Sequence, residues 1–121
     1  MLSTLAAVAV ALVALLHLYF LVLEMFLWKK PAGRRIFGLT KEFAEASASL
    51  AANQGLYNGF LAAGLIWGLT AGPAGFSLKV FFLGCVIVAG LFGAATANRK
   101  ILWVQAVPGA IALALVTLSR P

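Results

Sequence analysis

From Leu2 to Leu23 the chain carries no Asp, Glu, Lys or Arg, and most of its side chains are aliphatic or aromatic. A helix of that length extends about 33 Å, close to the thickness of a bilayer's hydrocarbon core. It has no polar face to turn toward water, as the surface helix of a soluble domain would. No basic stretch precedes the run, and it is longer than the apolar part of a secretory signal. It therefore reads as a retained first span.

Three further apolar segments follow. The expected spans are residues 2–28, 50–69, 76–97 and 101–118, separated by "KKPAGRRIFGLTKEFAEASAS", "TAGPAG" and "NRK". Soluble domains are roughly half apolar and a quarter charged. This chain is 64% apolar and 10% charged, so much of its surface must face something other than water. Its 121 residues leave room for one membrane domain, residues 1–121, and no separate soluble module. The expected fold is all-α, a four-transmembrane-helix bundle. Pro31 and Gly33 are expected to stop the first helix, Thr40 to cap the second ahead of the bilayer, and Pro108-Gly109 to kink the fourth.

The net charge of +6 points to topology rather than to nucleic acid. Lys29, Lys30, Arg34, Arg35 and Lys41 lie in the first break and Arg99 and Lys100 in the third, leaving only Lys79 and Arg120 elsewhere. The positive-inside rule then puts the two basic loops in the cytoplasm and both termini outside, in a multi-pass protein of a bacterial inner membrane. Membrane lipid is the expected partner, and no nucleic-acid partner is expected. Helices in lipid associate by close packing. Gly55/Gly59 and Gly64/Gly68 put small residues on two nearly opposite faces of the second span, which predicts neighbours on both sides.

Polar residues interrupt the second span at its start, in "NQGLYNGF". Asn53 and Gln54 lie about one turn inside the membrane and Tyr57 and Asn58 about two. Glu24 sits four residues before Trp28, His17 seven residues earlier on nearly the same face, and Gln105 about one turn inside the fourth span, with Thr96 at similar depth. Together they predict a polar cavity opening to the cytoplasm and capped by His17. Glu24 is either an anchor paired with a nearby Lys or Arg, or a proton acceptor or cation site. His17 and Tyr57 are the candidate acids beside it. Trp28, Asn53, Gln54, Asn58 and Gln105 are candidate ligand-binding residues; interhelical glue is the alternative for the amides, but three amides, a tyrosine and a carboxylate in one layer exceed what packing needs. A single His and a single Cys argue against a closed metal site, and no cofactor is expected. No phosphate loop or nucleophile elbow is present.

"HLYFLVLEMFLW" and "NQGLYNGFLAAGLIWG" resemble a family of small bacterial and fungal integral membrane proteins, domain of unknown function 1304. The resemblance covers nearly the whole chain. It implies a four-span protein whose distinctive residues are His17, Glu24, Trp28, Asn53, Gln54, Gly55, Tyr57 and Asn58, and it implies no activity. The function expected is binding of an amphipathic small molecule or lipid, with isomerase-like proton transfer as the accompanying chemistry. The alternatives are a small proton-coupled exporter, which at this length would act as a homodimer, and a structural membrane subunit.

Overall fold

The computed structural model describes residues 1–120, all of its regular structure helical. Helix α1 spans Leu2–Met25, α2 Pro31–Phe37, α3 Lys41–Thr70, α4 Gly75–Thr96 and α5 Val107–Leu118. A 3-10 turn, Gly72–Ala74, leads into α4, and a π-helical turn, Leu102–Ala106, leads into α5. No strand occurs among the described residues. Helix α1 and the segment Gly72–Thr96 are each long and apolar enough to cross a membrane, and Leu102–Leu118 is apolar but shorter. The 30 residues of α3 have the length, but the amides and tyrosine of its middle make it less apolar.

The first break is not the plain loop expected. Helix α1 ends at Met25, three residues short of Trp28, and the break contains α2. Pro31 does not merely stop a helix here; it begins one. Its missing N–H falls where the first turn has no intrahelical acceptor, and its fixed φ suits the helix. Gly38 ends α2 in the left-handed region (φ 66°), its N–H reaching the carbonyls of Arg34 and Arg35. Thr40 caps α3 as expected, its Oγ1 accepting the Phe43 N–H at 3.1 Å.

Pro108 also acts before its own position. It offers no N–H to the Val104 carbonyl, and its ring crowds that group. The helix responds by widening, so that the Val107 N–H bonds to the Leu102 carbonyl, five residues back. The expected kink thus takes the form of a π-turn.

The residues fall into two compact units. The first comprises residues 1–15 and those from 61 onward. Val10, Leu65, Leu83, Val86 and Ala112 are fully buried in its core. Helix α4 approaches the π-turn closely: a Cβ on Gly90 would lie 2.9 Å from the Ala106 nitrogen. In the same unit Gly64 and Gly68, which with Asn53 and Tyr57 form one stripe of α3, are covered by Phe82 and Lys79. The second unit, Leu16–Phe60, combines the last part of α1, all of α2 and the first part of α3. Its buried residues include His17, Leu23, Gly33, Ala44, Ala51 and Gly55.

Candidate functional site

The candidate site grows from a stripe of small residues on α3. Ala44, Ala51, Gly55, Ala62 and Leu65 are buried at spacings of three, four or seven, the inner face of a helix. Asn58 lies on that stripe and is half-buried, whereas Asn53, Gln54 and Tyr57 lie off it and are exposed. A Cβ on Gly55 would stand 3.2 Å from the Glu24 Cβ and 3.2 Å from the Leu21 carbonyl, and one on Gly59 2.8 Å from a Leu21 methyl. The two glycines let α1 come close enough for a short asparagine to reach across.

The reach is made by a hydrogen bond from Asn58 Nδ2 to Glu24 Oε1, joining residues 34 apart in the chain. Glu24 makes no ion pair among the described residues, so an amide partner replaces the lysine or arginine expected of an anchor. A neutral donor leaves the carboxyl's remaining lone pairs able to accept a proton or a ligand donor. Tyr57, one residue before Asn58, is half-exposed and packs edge-on to Phe60 with ring centroids 6.0 Å apart.

The other candidate residues go elsewhere. His17 is fully buried and meets the Phe20 ring edge-on at 5.4 Å, a core environment rather than an open one. Trp28 packs against Phe37 with the rings tilted and donates its indole N–H to Ser47 Oγ at 3.0 Å, while the Ser47 hydroxyl donates to the Phe43 carbonyl at 2.6 Å. It thereby ties the turn after α1 to both α2 and α3. Gln105, in the first unit, donates from Nε2 to the Val86 carbonyl at 3.0 Å, and Thr96 bonds back to Phe92 of its own helix. Ser47 was not singled out from the sequence. It lies on the same inner stripe, three residues after Ala44 and four before Ala51, where a hydroxyl calls for a partner.

Trp28→Phe keeps the ring against Phe37 but removes the N–H, and about 1 kcal/mol of stability is expected to go with it. Ser47→Ala should cost a similar amount, and the double variant no more than the larger single loss. Unfolding in detergent measures all three; additive losses would mean that the bond does not form.

Comparison with known proteins adds relatives but no activity. The model of a family described as "Protein of unknown function (DUF1304)" matches residues 11–117. The uncharacterized protein YpaA of Lactococcus lactis subsp. lactis (strain IL1403) is 35% identical over 108 residues, covering 88% of this chain and 89% of its own. No solved structure matches.

Proposed function

The chain belongs to the DUF1304 family of proteins of unknown function, and from that premise we propose that it is a four-span membrane protein that holds the polar end of an amphipathic small molecule or lipid at Glu24. The family description carries no chemistry, so the reading rests on the site. The observation that carries it is the Glu24–Asn58 pair: a carboxyl partnered by a neutral amide rather than by a cation, with an accessible phenol one residue away. Holding an isolated acid in an apolar helix is expensive, and such groups usually serve a ligand or a proton.

The membrane part of the reading has its own support. Besides the two long apolar segments, large side chains such as Phe81, Val88 and Phe92 of α4 are between 64% and 70% exposed. Side chains of that size suit lipid and would be a liability in water. With α3 and the π-turn plus α5 as the remaining crossings, the basic loops lie in the cytoplasm of a bacterium and both termini outside. Gln105 and Trp28 are then helix fasteners rather than ligand contacts. Asn53, Gln54 and Tyr57 are the exposed polar groups that a ligand would meet. If proton transfer accompanies binding, Glu24 is the acceptor and Tyr57 the donor, because the burial of His17 keeps it from direct contact.

The experiment is native mass spectrometry of the protein extracted in mild detergent, wild type beside Glu24→Gln. Glutamine retains an oxygen for the Asn58 N–H, so the fold should be kept while the acid is lost. We expect a small molecule or a selected lipid on the wild type and its absence from the variant. Two equally stable proteins carrying only bulk lipid would defeat the ligand reading and favour a structural subunit.

A further inference from the structure

The first unit contains a cavity of about 250 Å³ that the reading above does not use. It lies among the start of α1, the start of α4 and the end of α5, and Ser3, Ala6, Phe76, Lys79, Val116 and Arg120 contribute to its lining. Ala6 and Val116 are buried and give it an apolar floor. Lys79 and Arg120 are the two cations that fall outside both basic loops, and the fold brings them to this one cavity from positions 41 residues apart.

Both cations are held in place. The guanidinium carbon of Arg120 lies 4.2 Å from the centre of the Phe76 ring, a cation–π contact. The stem of Lys79 lies against Gly68, where a Cβ would come within 2.7 Å of the lysine Cγ. Neither makes an ion pair among the described residues. The acidic side chains of the protein are Glu24, Glu42 and Glu45, and all three belong to the second unit. Two cations lining one cavity with no acidic side chain in their own unit repel each other, and an anion between them relieves that repulsion. A planar arginine fork beside a lysine point charge suits phosphate oxygens.

We propose that this cavity is a binding site for a phosphate-bearing anion, with Lys79 and Arg120 on the oxyanion, Ser3 donating its hydroxyl, and the apolar floor against the carbons of the ester. The site shares no residue with that of Glu24. Its anion chemistry rests on the first unit alone. The source of the phosphate does rest on the membrane reading: a cavity at the ends of membrane-crossing helices lies at headgroup depth and meets phospholipid first.

The test offers the full-length protein equal amounts of phosphatidylglycerol and phosphatidylcholine in mild detergent and counts retained lipids by native mass spectrometry. A parallel arm adds inorganic phosphate and follows the unfolding midpoint. Wild type is compared with a Lys79→Gln/Arg120→Gln variant and with an Arg99→Gln/Lys100→Gln variant, which loses the same charge away from the cavity. The expected result is selective retention of phosphatidylglycerol by wild type and by the loop variant, reduced about tenfold in the cavity variant. A rise in midpoint with phosphate, absent from the cavity variant and unaccompanied by lipid preference, would keep the anion site but assign it a soluble ligand. Wild type showing neither preference nor shift overturns the proposal without reference to any variant. So does selectivity that survives in a folded cavity variant.

Discussion

Gly75→Ala is expected to leave little folded protein, although it adds a single methyl group. The backbone there is ordinary, with φ −63° and ψ −25°, so alanine meets no local strain. The obstacle is the neighbouring helix: a Cβ on Gly75 would overlap the carbonyl of Gly68, where the first turn of α4 lies against the last part of α3. Both sides of that contact are backbone, so no side chain can swing away. Overpacking ordinarily costs about 1–3 kcal/mol and more where rigid groups collide. Gly84→Ala is the control, since a Cβ at that position of the same helix has nothing within 4 Å. Helix propensity alone would make it neutral or slightly stabilising. Yield of monodisperse protein and its unfolding midpoint should therefore separate the two variants widely. Equal behaviour would mean that α3 and α4 do not cross at Gly68.

The second large effect is expected at Asn58. Asn58→Leu removes the only hydrogen bond that Glu24 makes among the described residues and leaves a carboxyl facing an apolar side chain. Hydrogen bonds to charged groups contribute about 1.5–3 kcal/mol, well above the roughly 0.6 kcal/mol average between membrane helices. A double-mutant cycle with Glu24→Ala isolates the coupling, because leucine at 58 should cost little once the acid is gone. Asn53→Leu should stay within about 0.5 kcal/mol of wild type, since that side chain is exposed. Similar losses at positions 53 and 58 would show that the inner face of α3 has been assigned wrongly.

The contrast between Asn53 and Asn58 also shows what could be read from the sequence and what could not. Distance along a helix axis is legible from residue number alone, so Glu24 and Asn58 could be placed at one depth. Rotation about the axis is harder to read, because one residue turns a side chain by 100°. The small-residue stripe through Ala44, Ala51, Gly55 and Ala62 carries that information, and Asn58 alone of the four polar residues falls on it. The bracket formed by Pro31 and Gly38 likewise marks α2, although reading Pro31 as a stop concealed it. Other contacts had no local signal. The Trp28–Ser47 bond depends on how the chain reverses through α2. That Lys79 and Arg120 line one cavity depends on three helix ends arriving together.

The π-turn at Leu102–Ala106 has a consequence for the helix that follows it. A wide turn holds one residue more than an α-helical turn would, and every later side chain is set by that extra residue. Helix α5 buries Gly109, Ala112 and Val116. Wind the same residues as a plain α-helix and the same angular positions pass to Pro108, Ile111 and Leu115, so a proline ring and two bulky side chains enter the seam. The phase of the last helix is thus set by the widening of the turn before it, which absorbs one residue. A sequence one residue shorter there would need no wide turn, and an ordinary α-helix would present the same side of α5 to α4.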